Sequence, residues 1–254
     1  MALLAAACGE RAPEAPPAGT NPDASRSVAP ATPDVEAIRI VVLGDSLSAG
    51  MGLPESEAFP ALVEERLRDE GFPVEVINAG VSGDTSAGGL SRLDWVLRSG
   101  PDILVVELGA NDALRGQPLE NTERNLREIL RRGREAGATP VLLGMDVPTS
   151  YGPDYTGGFR AIYERLAREE EVRLVPDFIR EVGLDPKLMQ ADGLHPTAEG
   201  HRRLAGLLLP HLREMLAGLP GAHRSGTSDM GPSARIGASR ARIGPFIQVG
   251  LLIR

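Results

Sequence analysis

A serine, a histidine and an aspartate that could together carry out nucleophilic catalysis lie far apart in this sequence. Ser46 follows Gly44 and Asp45 in the run VVLGDSLSAG, directly after an apolar stretch, while Asp192 and His195 lie in ADGLHP near the other end. A serine hydroxyl is a weak nucleophile until a base removes its proton. A histidine oriented by a carboxylate can act as that base. The residues therefore predict acyl transfer, with Ser46 as nucleophile, His195 as base and Asp192 as its partner.

Two further polar clusters supply candidates for stabilising the oxyanion of the tetrahedral intermediate. Gly83 lies in NAGVSGDT and Asn111 lies in GANDALRG, and each cluster follows an apolar run. Hydrogen-bond donors aimed at the developing negative charge lower the barrier of acyl transfer. We expect these donors to be the backbone amides of Ser46 and Gly83 and the side-chain amide of Asn111. A glycine at position 83 lets the backbone approach the substrate without a Cβ.

Each of these residues also has a simpler interpretation. Ser46 could only cap a helix, Asn111 could only occupy a turn, and Asp192 with His195 could be two metal ligands. Catalytic zinc usually takes three protein ligands, and no third His or acid is obviously grouped with that pair, so we predict neither a metal nor a cofactor. Asp45 is expected to order its loop by accepting backbone amides. The other histidines are expected at the surface: His201, His211 and His223.

The segments that must position these residues alternate between strand-like and helix-like patterns. Apolar strand-like runs lie at residues 38–43, 74–77, 103–108, 140–143 and 172–175. Helical spacing of apolar residues lies at 59–67, 119–136, 159–166 and 197–216, and Leu93 and Trp95 are expected to pack in another helix. This alternation predicts an α/β fold with a parallel sheet covered on both faces. Ligands bind at the carboxyl edge of such sheets, where all four polar clusters fall.

The four clusters together resemble the SGNH (GDSL) hydrolase family, whose blocks are named for Ser, Gly, Asn and His. They match in order as GDSLSAG with Ser46, NAGVSGDT with Gly83, GANDALRG with Asn111 and DGLHP with Asp192 and His195. The resemblance covers about residues 38–216 and is strongest to the bacterial periplasmic acyl-CoA thioesterase, lysophospholipase and arylesterase group. It implies a flavodoxin-like three-layer α/β/α sandwich with a five-stranded parallel sheet. It also implies a Ser46–His195–Asp192 triad and an oxyanion hole formed by Ser46, Gly83 and Asn111.

The expected function is that of a serine esterase or thioesterase for short- to medium-chain acyl esters. Residues 145–159, MDVPTSYGPDYTGGF, follow the fourth strand-like run and are expected to form a loop at the rim of the site. Such loops commonly set specificity, and the apolar and aromatic content of this one favours an acyl chain over a sugar. Two alternatives stay open: a carbohydrate O-acetyl esterase of the same fold, and a binding module that has lost turnover.

Charge and cysteine content argue against several other classes of protein and site. The net charge of −8 and the pI near 5.2 argue against a nucleic-acid partner, because such proteins usually carry a basic face. The single cysteine, Cys8, rules out a disulfide framework within one chain and a site built from several thiolates. The expected partner is therefore a small acyl ester or thioester.

The two ends of the chain differ in composition from the part between them. An apolar stretch ends in Ala5-Ala6-Ala7-Cys8, which is similar to the lipobox of bacterial lipoproteins, and a Pro/Ala-rich linker follows to residue 35. This pattern predicts export, with a periplasmic location or a membrane tether through Cys8, and a cytoplasmic location if the segment is not a signal. Residues 36–219 are the predicted hydrolase domain. Residues 220–254 are rich in Gly, Ser and Arg and are expected to be a disordered or appended tail.

Overall fold

A five-stranded parallel sheet lies at the centre of residues 37–219, which are the residues that the computed structural model describes. The spatial order of the strands is β2-β1-β3-β4-β5, as in flavodoxin-like folds. The strands are β1 (Ile38–Gly44), β2 (Val74–Gly80), β3 (Ile103–Glu107), β4 (Thr139–Leu143) and β5 (Arg173–Val175). The predicted α/β fold is confirmed. The predicted leader, linker and tail lie outside the described residues, as do Cys8 and His223.

Helices cover both faces of the sheet. They are α1 (Ser46–Ala49), α2 (Phe59–Asp69), α3 (Ser86–Leu97), α4 (Ala110–Leu114), α5 (Leu119–Glu135), α6 (Pro153–Glu169), α7 (Arg180–Gly183) and α8 (Ala198–Ala217). Side chains that open the longer helices satisfy free backbone amides, as Thr85 does for Gly88 and Thr197 for Gly200. No helix among residues 37–219 is long and apolar enough to cross a membrane.

The apolar strands supply two cores, one on each face of the sheet. Along β1, Ile40 and Val42 point into the core that α2 and α8 close, whereas Val41 and Leu43 point into the core of α3, α5 and α6. Successive side chains of a strand alternate between faces, so a strand covered on both sides must be apolar throughout. This requirement explains why the strand-like runs of the sequence do not alternate with polar residues.

Two details of the helices differ from the sequence prediction. Residues 145–159 are not a single loop, because α6 begins at Pro153 after Gly152, which has φ 86°. Proline is favoured in the first turn of a helix, whereas Gly157 and Gly158 are poor helix formers that hid the helical pattern. Leu93 packs in the core as expected, but the prediction for Trp95 is wrong because its side chain is 62% exposed.

The order of the strands creates a crevice at the carboxyl end of β1. This strand lies between β2 and β3, and the connections that follow it and β2 run over opposite faces of the sheet, through α2 and α3. Open α/β sheets bind ligands at such a switch point. The loops that leave β1, β2 and β3 there carry Ser46, Gly83 and Asn111.

Candidate active site

Ser46 is held at the mouth of the crevice by a tight strand-to-helix turn. It is the first residue of α1, which directly follows Asp45 at the end of β1. The Asp45 side chain is 1% exposed, and its Oδ1 accepts a hydrogen bond from the Leu47 amide at 3.0 Å. This confirms the expectation that Asp45 orders the loop by accepting a backbone amide. Helix α1 ends after one turn at Gly50, whose φ of 70° suits glycine.

Ser46, His195 and Asp192 form a continuous chain of hydrogen-bonding contacts. His195 Nε2 lies 3.0 Å from Ser46 Oγ, and His195 Nδ1 lies 2.6 Å from Asp192 Oδ2. The other carboxylate oxygen, Asp192 Oδ1, accepts the amides of Leu194 at 2.9 Å and His195 at 3.0 Å. The hydrogen bond from His195 and these two amides hold the pKa of Asp192 well below its usual range. An ionised Asp192 keeps the proton of a neutral imidazole on Nδ1, which leaves Nε2 free to accept the serine proton.

The two remaining predicted residues, Gly83 and Asn111, lie on loops that are tied to each other and to the Ser46 turn. Asn111 Nδ2 donates to Asp45 Oδ2 at 2.9 Å. The Gly83 carbonyl accepts from Arg115 Nη2 at 2.8 Å, and Gly83 has a φ of 84°, which favours glycine. These contacts place the Asn111 amide beside the turn that carries Ser46 and join the Gly83 loop to the end of α4.

The buried Asp112 makes a second connection between the same two loops. Its carboxylate accepts from the Ser86 amide at 2.7 Å and from Ser86 Oγ at 2.5 Å, and also from Thr122 Oγ1 at 3.3 Å. Buried carboxylates require such donors, because an unsatisfied charge in the interior is costly. The start of α3 is thus held against α4 from beneath the site.

Sequence reasoning missed Glu107, which lies directly behind the Ser46 turn. Its side chain is fully buried, and Oε2 accepts from the Asp45 amide at 3.1 Å, the Ser48 amide at 3.2 Å and Ser48 Oγ at 2.7 Å. Burial, followed by the neighbouring Asp45 charge, raises the pKa of Glu107 well above its usual range. Burial also raises the pKa of Asp45 to about 6. The available signal was one acid in the otherwise apolar run ILVVELG.

His201 was expected at the surface, and that expectation is wrong because its side chain is 0% exposed. The residue lies on the inner side of α8, with Leu204 and Leu208 three and seven residues further on. That spacing places all three on one helix face, so the sequence did contain the signal. His201 Nδ1 accepts the Phe59 amide at 3.2 Å, and burial lowers the pKa of this imidazole to about 4.

A cleft of about 500 Å³ opens beside Ser46 and His195. Its walls are mostly apolar and include Leu47, Leu114, Val147, Ile179, Leu184 and Met189. One part of the wall is charged: Asp146 Oδ2 lies 3.1 Å from Arg160 Nη2 and 3.7 Å from Arg180 Nε. The segment after β4, which was expected at the rim, contributes Met145, Asp146, Val147 and Pro148 to this cleft.

Comparison with known proteins gives consistent matches over the same part of the chain. Residues 42–203 match the model of the GDSL-like Lipase/Acylhydrolase family. The chain is 42% identical over 186 residues to the esterase TesA of Pseudomonas aeruginosa, covering 73% of this chain and 92% of that protein. It is 41% identical over 178 residues to thioesterase 1/protease 1/lysophospholipase L1 of Escherichia coli K12, covering 70% and 84% respectively. A solved structure of the esterase EstA from Pseudoalteromonas, inhibited by monoethylphosphonate, has a TM-score of 0.68 at 31% identity, covering 71% of this chain and 100% of EstA.

Proposed function

This chain belongs to the GDSL-like lipase/acylhydrolase family and is a carboxylic ester hydrolase, and we propose that it cleaves short- to medium-chain acyl esters through a covalent acyl-enzyme at Ser46. The observation that carries this proposal is the contact chain from Ser46 Oγ through the His195 ring to the Asp192 carboxylate, with separations of 3.0 Å and 2.6 Å. This order of groups is the one that activates a serine for acyl transfer.

The proposed reaction proceeds in two halves. His195 Nε2 takes the Ser46 proton while Oγ forms a bond to the acyl carbon, and the tetrahedral intermediate carries its charge on the former carbonyl oxygen. The amides of Ser46 and Gly83 and the free Nδ2 hydrogen of Asn111 stabilise that oxygen. Collapse of the intermediate breaks the bond to the leaving group, which receives the proton from His195. Water then attacks the acyl-enzyme by the same steps and releases the acid.

The cleft favours an acyl chain as the group that lies next to Ser46. Leu47, Leu114, Val147 and Ile179 line it, and burying apolar chain surface against such side chains contributes about 25 cal/mol per Å². A sugar hydroxyl buried there would lose its water without gaining hydrogen bonds from these side chains. The cleft therefore supports acyl esters and thioesters ahead of acetylated carbohydrates.

Replacement of the serine tests the role of the proposed nucleophile. Ser46→Ala should lower kcat/KM on p-nitrophenyl butyrate by about 10³- to 10⁶-fold, as expected when a nucleophile of this kind is removed. Ser91→Ala is the matched control, because Ser91 is an exposed residue on the outer part of α3. A fluorophosphonate probe should label the wild type and the control at Ser46. Labelling at another serine, or an active Ser46→Ala variant, would overturn the assignment.

A substrate panel separates the acyl-ester proposal from its alternatives. p-Nitrophenyl esters of increasing chain length, matched acyl thioesters and acetylated xylan should be compared at equal enzyme concentration. We expect the highest kcat/KM for short- to medium-chain esters or thioesters. Preference for acetylated xylan would instead indicate a carbohydrate O-acetyl esterase, and no turnover of any substrate would indicate a binding module.

We also propose that the chain is exported and tethered through Cys8. The support is the sequence Ala5-Ala6-Ala7-Cys8 followed by a Pro/Ala-rich segment, the order in which small residues, a cysteine and a linker follow one another in bacterial lipoproteins. Metabolic labelling with a fatty-acid analogue in a Gram-negative host should mark the wild type and spare Cys8→Ser. Labelling of neither protein would overturn the tether, and recovery of the wild type from the cytoplasm alone would overturn export.

A further inference from the structure

The Glu107 side chain fills the space behind the Ser46 turn. Its Oε2 accepts three donors, from the amides of Asp45 and Ser48 and from Ser48 Oγ. A Cβ on Gly44 would lie 2.6 Å from that oxygen and would also overlap Ser48 Oγ. The end of β1 therefore has to be glycine for the Glu107 carboxyl to reach the turn. The buried Glu107 side chain thus connects β3 with residues on both sides of Ser46, Asp45 before it and Ser48 after it.

Glu107 and Asp45 form a neighbouring pair of buried carboxyl groups, because their side chains are 0% and 1% exposed and the Asp45 amide donates to Glu107 Oε2. Two ionised carboxylates buried side by side would repel each other, so one of them is expected to carry a proton. Asp45 has donors for both oxygens, the Leu47 amide at Oδ1 and Asn111 Nδ2 at Oδ2. Glu107 Oε1, in contrast, is buried and accepts no hydrogen bond from any donor within residues 37–219. An ionised Glu107 would leave that oxygen unsatisfied, so the distribution of donors favours the proton on Glu107.

We propose that Glu107 is a positioning residue of the acyl-transfer site and works as a neutral carboxylic acid: it holds the amides of the Ser46 turn and donates a hydrogen bond to the Asp45 carboxylate. The raised pKa of Glu107, caused by burial and then by the Asp45 charge, agrees with this assignment. The inference rests on the proposed function, in which Ser46 is the nucleophile and Asn111 stabilises the oxyanion.

The neutral acid acts on catalysis through Asp45 and Asn111. An ionised Asp45 can only accept, so it selects the Nδ2 end of the Asn111 amide and excludes the rotamer with Oδ1 in that position. The second Nδ2 hydrogen is then available to the oxyanion, whereas the flipped amide would present an oxygen to a negative charge. Glu107 supplies Asp45 with a donor, and through its contacts with the Asp45 and Ser48 amides it fixes the position of the Ser46 turn. Its loss should therefore affect the transition state more than substrate binding.

Two substitutions distinguish a neutral acid from a charge or a simple space filler. Glu107→Gln keeps the shape, one acceptor oxygen and a donor for Asp45, whereas Glu107→Leu keeps bulk and removes every hydrogen bond. On p-nitrophenyl butyrate we expect the Gln variant to retain kcat within about threefold. The Leu variant should lose about 10- to 100-fold in kcat with little change in KM, as expected when reacting groups are slightly misplaced. Circular dichroism must show the Leu variant folded at the assay temperature.

Three kinetic outcomes would overturn the proposal. A Gln variant as impaired as the Leu variant would mean that an ionised carboxylate is required. A folded Leu variant with wild-type kcat would mean that Glu107 has no positioning role. A loss confined to KM would place its effect on substrate binding.

Infrared difference spectroscopy tests the protonation state without using activity, and it does not require the Leu variant to fold. At pH 8, subtraction of the Glu107→Gln spectrum from that of the full-length wild type should reveal the C=O band of a protonated carboxylic acid. Glu123→Gln is the matched control and should reveal none, because Arg165 and Arg127 lower the pKa of Glu123. Absence of the band in the first comparison overturns the neutral-acid assignment even if Ser46→Ala is inactive. An active Ser46→Ala variant would overturn the proposed function instead.

Discussion

The buried imidazole of His201 should make the free energy of unfolding depend on pH between about 6.5 and 4. Burial lowers the pKa of this side chain from 6.5 to about 4. Between those values the unfolded chain binds a proton that the folded protein does not, so stability falls as the pH falls. The physical cause is visible in its contacts: Nδ1 accepts the Phe59 amide, and Nε2 has no partner in the described part of the chain. Protonation of Nδ1 would make it a donor that faces the Phe59 amide, so this hydrogen bond would be lost and the two N–H groups would repel each other.

The size of the expected change in the free energy of unfolding follows from the pKa shift of His201. Each pKa unit corresponds to about 1.4 kcal/mol, so a shift of about 2.5 units lowers the free energy of unfolding by about 3.4 kcal/mol once both states are protonated. At pH 4.5 the folded imidazole is still mostly neutral, and about 2.5 kcal/mol of this amount should be lost relative to pH 8. The raised pKa of Asp45 acts with the opposite sign over part of this range. The measurement must therefore isolate His201 by substitution.

His201→Asn is the appropriate change, because the amide oxygen of asparagine can take the place of Nδ1 and does not titrate. Urea unfolding followed by far-ultraviolet circular dichroism at pH 8 and pH 4.5 gives the loss of stability for each protein. The wild type should lose about 2.5 kcal/mol more than His201→Asn. His211→Asn is the matched control on the same helix, where the imidazole is only half-buried and the expected difference is smaller. Equal losses in the wild type and His201→Asn would refute the reasoning.

Three further predictions concern the site and the limits of the domain. Asn111→Ala should lower kcat for p-nitrophenyl butyrate by about 10²- to 10³-fold, the cost of one oxyanion donor; an unchanged kcat would remove Asn111 from the proposed oxyanion hole. Asp192→Asn should leave the fold intact and lower kcat by about 10⁴-fold, because the imidazole adopts the wrong tautomer; activity within tenfold of the wild type would contradict that role. In limited proteolysis of the full chain, residues 1–35 and 220–254 should be cleaved first and esterase activity should persist, since neither segment has the composition of a packed core; early loss of activity would show that the predicted domain limits are wrong.

The fold could be predicted because its elements are marked by local patterns. Residues 103–107 are apolar up to the terminal Glu107 and lie within a strand covered on both faces. The other strands were located to within one residue, except β2, which was expected to end at residue 77 and continues to Gly80. The polar clusters that contain Ser46, Gly83 and Asn111 follow three of these strands, and parallel topology brings the ends of such strands to one edge. Neither step requires knowledge of which side chains touch.

The start of α6 and the exposure of Trp95 could not be predicted in the same way. Gly157 and Gly158 interrupt the helical pattern, and they are tolerated because Thr156, Phe159 and Tyr163 bury the inner face of the helix. Packing of that face can outweigh the weak intrinsic propensity of the two glycines. The outward position of Trp95 follows from the rotation of α3, in which Leu93 and Val96 take the buried positions.

Glu107 and His201 were missed for a different reason, and the reason explains how the site is built. The groups expected to meet the substrate lie in loops, where polar residues after a strand are conspicuous. The groups that hold the backbone in place behind them lie inside regular elements: Glu107, on β3, holds the Ser46 turn, and His201, on α8, holds the first residue of α2. Each is a titratable side chain in an apolar face, and each is paired with a backbone amide distant in sequence, that of Asp45 and that of Phe59. Burial raises the pKa of Glu107 and lowers the pKa of His201, and both changes favour the neutral side chain. Each residue can therefore hold its amide partner without placing an unpaired charge in the core.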